Sequence, residues 1–177
     1  MKKRFLLFIV LFTVSFSSNA QTGWLSHTDT AYNFSFKYPA AWKLKLPGTN
    51  TRFFVTSPAE NDEDDFRENI NAIVREFSLS ELPVAKSLKE IREALSKNLT
   101  DFKEIKNTAF KWQGKNALEI EYTCTKESEG KNYYLYILQR LVVINYKMFT
   151  VTFTCIANKK DKYLPVAKQV IKSMVIK

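Results

Sequence analysis

Residues 133–145 (YYLYILQRLVVIN) limit the fold more than any other stretch. Leu135, Ile137, Leu141 and Val143 fall on one side of an extended chain, and Tyr136, Leu138, Val142 and Ile144 on the other. Successive side chains of a strand point to opposite faces, so a strand apolar on both faces must be covered on both. It therefore belongs inside a sheet that lies between two other layers. With 177 residues, 45% of them hydrophobic and 14% aromatic, the chain has enough apolar surface for one such domain and too little for two.

The neighbouring segments alternate cleanly. Leu118, Ile120, Tyr122 and Cys124 are spaced by Glu119, Glu121 and Thr123, and Phe149, Val151, Phe153 and Cys155 by threonines. Gly114 and Gly130 fall between strands, where tight turns need glycine. Residues 118–125, 133–145 and 148–156 thus read as an antiparallel meander. Upstream, Phe34, Phe36 and Tyr38 alternate before Pro39-Ala40-Ala41, and Trp42, Leu44 and Leu46 after it, which predicts a hairpin. Gln21 to Thr30 reads as a polar lead-in. Arg52 to Ser57, Ile70 to Ser78 and Phe102 to Trp112 are further strands. Ser87-Leu88-Lys89-Glu90 fits a capping box, and Leu88, Ile91, Leu95 and Leu99 follow at helical spacing. A second helix is expected to be capped by Asp161, with Pro165 in its first turn and Ala167, Val170, Ile171 and Met174 inward. The expected class is α+β: an antiparallel sheet of about 6–8 strands with helices covering both faces, in three layers.

Residues 1–20 stand apart. Lys2, Lys3 and Arg4 precede an apolar run from Phe5 to Phe16, then Ser17-Ser18-Asn19-Ala20. This is the pattern of a secretory signal peptide, cleaved after Ala20. The domain is then residues 21–177, exported to the periplasm or secreted, with no spanning segment after cleavage. Removing three basic residues takes the formal charge from +9 to +6. The lysines are scattered and no nucleic-acid-binding motif accompanies them, so nucleic acid is excluded as a partner.

Few residues suggest chemistry. With one histidine, His27 near Asp29, and no nucleophile motif, no catalytic group is assigned. Two cysteines, Cys124 and Cys155, lie on strands flanking the same central strand. Two strand spacings put them about 9 Å apart, beyond bridging distance, so both are expected as inward-facing thiols. Glu60, Asp62, Glu63, Asp64, Asp65 and Glu68 form an acidic loop. Asp62, Asp64 and Glu68 are the candidates for a divalent cation, although the glycine of a calcium loop is missing; no cofactor is expected otherwise.

Several fragments together resemble the PsbP-like fold, whose type member is an extrinsic protein of photosystem II. They are Phe34-Ser35-Phe36-Lys37-Tyr38-Pro39-Ala40-Ala41-Trp42, Ser57-Pro58, Phe66-Arg67-Glu68-Asn69-Ile70, Gly114-Lys115-Asn116-Ala117, Val151-Thr152-Phe153-Thr154 and Ile171-Lys172-Ser173-Met174. Tyr146 stands in a turn where the family usually has glycine. The resemblance implies an interaction or assembly protein and not an enzyme. The expected function is therefore a non-enzymatic, monomeric envelope protein that binds an unknown protein or small ligand. Tyr38, Trp42 and Asp65 are its candidate contact residues. The alternatives are a carrier of a small apolar ligand, held near Phe149 and Phe153, and a metal-dependent enzyme centred on loop 60–68.

Overall fold

The computed structural model describes residues 23–177, so the expected signal peptide, residues 1–20, lies outside the described residues. Among the described residues ten strands form two antiparallel sheets. β1 (Trp24–Asp29), β2 (Phe34–Pro39) and β10 (Val175–Ile176) make a small sheet in the order β1-β2-β10. The large sheet has the order β3-β4-β5-β9-β8-β7-β6. Its members are β3 (Lys43–Lys45), β4 (Thr51–Thr56), β5 (Asn69–Glu76), β6 (Thr100–Trp112), β7 (Lys115–Ser128), β8 (Lys131–Ile144) and β9 (Lys147–Ile156). Two helices, α1 (Val84–Asn98) and α2 (Lys160–Ser173), complete the α+β fold.

The expected meander is present as β7-β8-β9, with β8 inside the sheet. The two apolar rows of β8 feed separate cores. Tyr136, Leu138, Val142 and Ile144 pack with Phe34, Phe36 and Tyr38 of the small sheet and with Ala167, Val170 and Ile171 of α2. Leu135 and Ile137 pack under Leu88, Ile91, Leu95 and Leu99, and Leu141 and Val143 under Val84, Leu88 and Ile91. The cover on the α2 side is thus a sheet and a helix together, not the helix alone that the sequence suggested.

Four other expectations fail at their boundaries. Gln21 to Thr30 is not a lead-in: β1 occupies Trp24–Asp29 and pairs with β2 over its whole length. The hairpin across Pro39-Ala40-Ala41 does not form, because β3 pairs with β4 in the large sheet; the chain crosses between sheets there. Ser87 does not cap α1. The helix starts a turn earlier after Pro83, whose φ of −77° already suits a helix start, and the Ser87 amide donates to the Pro83 carbonyl at 2.9 Å. In α2, Asp161 lies within the first turn rather than at the cap, and Pro165 lies in the helix interior.

The turns from β6 through β9 are two-residue loops with both residues at positive φ: Gln113-Gly114, Glu129-Gly130 and Asn145-Tyr146. This is the geometry of a type I′ hairpin. Two of them place glycine second. The third places Tyr146 there, at φ 58°, where a bulky residue carries about 1–2 kcal/mol of strain.

Candidate functional site

The acidic loop between β4 and β5 lies against the start of α2, and its carboxylates are matched by cations nearly a hundred residues away. Lys159, in the 3-10 turn Ala157–Lys159, is the centre. Its Nζ lies 3.2 Å from Asp64 Oδ1, 3.4 Å from Glu60 Oε2 and 3.9 Å from Glu68 Oε1. Lys162 Nζ and the Tyr163 hydroxyl both donate to Glu60 Oε1, at 2.9 and 2.5 Å. The Tyr163 hydroxyl and Lys162 hold the Glu60 carboxyl down to about 2. Asp64 is also lowered: burial works against its charge, but the Glu60 amide and Lys159 outweigh it. The same burial, with Glu60 beside it, pushes the Tyr163 phenol up.

Glu68 is fully buried. Its Oε2 accepts from the Ser57 hydroxyl at 3.1 Å, and its backbone carbonyl accepts from the Ser57 amide at 2.8 Å. Oε1 has no hydrogen-bond donor, and the Lys159 ammonium lies 3.9 Å from it. A carboxyl group this deep is tolerated when an opposite charge is held beside it. Lys159 is that charge.

These contacts change the reading of the sequence candidates. Asp64 and Glu68 do come together, but around Lys159, with Glu60 as the third carboxylate. Asp62 is exposed at the loop tip. Among the described residues no group of three or more potential ligands is arranged for a metal ion; the ammonium holds the place where the carboxylates converge. Asp65 pairs with Lys131 at the start of β8. Tyr38 and Trp42 are each only 8% exposed; they pack in the core, and Trp42 meets the Tyr163 ring edge-on. Phe149 and Phe153 are buried, at 1% and 0% exposure, in the core on the α2 side, and the pocket that Phe149 borders holds only about 40 Å³. His27 lies edge-on to Phe36, with ring centroids 5.6 Å apart. Asp29 does not orient it: its carboxylate accepts from Arg52 Nε at 3.0 Å and from the Ala31 and Tyr32 amides.

Beside the latched loop is an open cleft of about 580 Å³. Glu63, Asp65, Phe66, Tyr133, Tyr134 and Lys159 are among its walls. Phe66 and Tyr133 pack with centroids 5.3 Å apart. Tyr134 is 53% exposed, though its hydroxyl donates to Thr123 Oγ1 at 3.1 Å. The loop carboxylates were legible in the sequence. Their partners Lys159, Lys162 and Tyr163 and the aromatic wall were not, because only the fold brings these distant segments together. The one available signal was complementary charge: an acidic loop and a lysine cluster just ahead of a helix.

The chain belongs to the PsbP family, whose sequence model matches residues 22–176. No curated protein matches it by sequence. Among solved structures it is similar to CyanoP, the cyanobacterial PsbP of Synechocystis (TM-score 0.64, 16% identity, covering 90% of this chain and 96% of that one). It is also similar to the Ran-binding protein Mog1p of Saccharomyces cerevisiae (TM-score 0.58, 9% identity, 88% and 96%). A third is LpqN of Mycobacterium tuberculosis, described as involved in cell envelope biogenesis (TM-score 0.56, 15% identity, 81% and 82%). At these identities the likeness is one of fold. Among the described residues no helix is long and apolar enough to cross a membrane.

Proposed function

We propose that this is an exported, non-catalytic binding protein that engages a protein partner at the cleft between loop 57–68 and the start of β8. The observation that carries the reading is the cleft itself. An exposed tyrosine and a packed aromatic pair share the cleft with Glu63, and Glu63 and its exposed neighbour Asp62 make no ion pair among the described residues. Aromatic side chains with a polar end dominate the energetics of many interfaces, and unpaired carboxylates at the rim favour a basic partner. Mog1p, a Ran-binding protein, and LpqN, involved in cell envelope biogenesis, lend support from similar folds. The metal-enzyme reading loses its ground, because Lys159 occupies the point where the carboxylates meet.

The test is capture of partners from envelope extract, followed by binding measurements with the captured protein. Tyr134→Ala should weaken binding about thirtyfold, as loss of a hot-spot aromatic does. Asp62→Asn with Glu63→Gln should slow association and flatten its salt dependence. A partner whose affinity none of these changes moves would place the docking surface elsewhere.

A further inference from the structure

Ser87, the serine that looks like a helix cap, has no such role in the fold. It is 9% exposed, and its hydroxyl makes no hydrogen bond among the described residues. It lines a groove of about 380 Å³ between α1 and the large sheet, well away from the acidic cleft. Apolar walls come from Phe77, Ile91, Leu141 and Met148. The volume is within the ordinary range of small-molecule sites.

One end of the groove has a distinct electrostatic character. Pro83 and Lys86 also line it, and they belong to the start of α1. The first hydrogen bond of the helix is the one from the Ser87 amide. The amides of Val84, Ala85 and Lys86 precede it, with no side-chain cap and no acidic residue in the first turn to answer them. The free amides, the helix dipole and the Lys86 ammonium all favour an anion there. The unused Ser87 hydroxyl is a donor on the same wall. Glu90 is the one acid on the lining; it lies a turn further along, 3.8 Å from Lys86 Nζ.

We propose that this groove binds a single-chain carboxylic acid amphiphile. Its carboxylate sits at the start of α1, against Ser87 and Lys86, and its chain runs over Ile91, Leu141 and Met148. An apolar cavity with convergent donors at one end calls for a ligand with one anionic and one apolar end. The proposal does not depend on the acidic cleft or its partner.

Laurate, titrated calorimetrically into the purified protein below its micelle-forming concentration, tests it. Saturable binding with one site is expected, and lauryl alcohol should bind about tenfold more weakly for want of the charge. Ser87→Ala should cost about tenfold, as loss of a hydrogen bond to a charged group does. Lys86→Gln, at an exposed position, should cost about threefold, whereas Glu90→Gln should tighten binding. Ala94 is an exposed helix residue on the groove lining, so Ala94→Trp should fill the groove without unfolding the domain and should abolish binding. No saturable binding, equal affinity for acid and alcohol, or a full response from a folded Ala94→Trp protein would each overturn the assignment.

Discussion

The two helices cover the same sheet very differently. In α2, Tyr163, Ala167, Val170 and Ile171 are all buried, and loop 57–68 is fastened to its first turn. In α1, only Ser87 is buried; Leu88, Ile91 and Leu95, with Leu99 just past the helix end, are half-buried, and a groove remains beneath. Both helices carry a well-formed apolar stripe, so the stripe does not decide how tightly a helix seals. The second layer does. On the α2 side the small sheet closes the core, with Phe36 and Phe53 stacked at 4.0 Å. On the α1 side no second sheet is present among the described residues, and the helix carries the cover with its preceding loop.

The largest effect that would break this contrast is expected at Lys159. Lys159→Met removes the cation from Glu68, which stays fully buried, and a buried charge left without its partner costs about 3–5 kcal/mol. Chemical denaturation should show this as a lowered midpoint with little change in slope. Adding Glu68→Gln should restore much of the loss, because the stranded charge is then gone. Acid should weaken the same latch. Glu60 has a folded value of about 2 against an ordinary 4.5, and Asp64 is also lowered. A depressed carboxyl contributes stability above its unfolded value and loses it as pH falls toward the folded one. Loop protection measured by amide exchange should therefore hold at neutral pH and fade between about pH 4.5 and 2.

A paired truncation sharpens the contrast. Ile171 is 1% exposed on α2, and Ile171→Ala should cost about 2–5 kcal/mol, through lost burial and the cavity left behind. Ile91 is half-buried beside a groove, and Ile91→Ala should cost about 1 kcal/mol. Equal losses would mean that α1 is as tightly packed as α2.

The difference between the two sides also explains what could be read from the sequence. Period-two alternation identified the meander and placed β8 in the interior, because burial of one side chain in two is written in the local sequence. Tyr146 was marked as a departure from the family's glycine, and the positive φ there gives the physical reason glycine is usual. Of the small sheet the sequence shows β2 but neither β1 nor the pairing that sets this sheet apart. Trp24, Leu25, Ser26 and Thr28 of β1 are exposed, so an edge strand with one poorly buried face shows little alternation. The apparent hairpin at Pro39 failed because alternation reports burial and not which strand is the neighbour. Ser87 misled for a related reason: a capping box is a short pattern, and the fixed φ of Pro83 outweighed it. The latch was invisible since its two halves are far apart in sequence.

The smallest expected effect uses two probes already built into the chain. Cys124 and Cys155 are both free and buried. Cys124 pairs across the ladder with Leu135, and Cys155 with Tyr136. Leu135 and Tyr136 are consecutive, so the two thiols lie on opposite faces of the sheet. This separates them more decisively than the strand spacing alone. One thiol reports on the α1 side and the other on the α2 side. Burial raises both, Cys155 to about 12, where the nearby Glu68 charge adds to the effect. The thiolate is the reactive form, so labelling in the folded state requires each side to open. The loosely covered side should open more readily. Under native conditions at mildly alkaline pH, Cys124 should therefore be alkylated several-fold faster than Cys155, as peptide mass mapping would show. Lys159→Met should speed Cys155 and leave Cys124 nearly unchanged, because the latch closes only one face. Equal native rates, or a Lys159 variant that accelerates both thiols alike, would mean that the two faces open together in one cooperative unit.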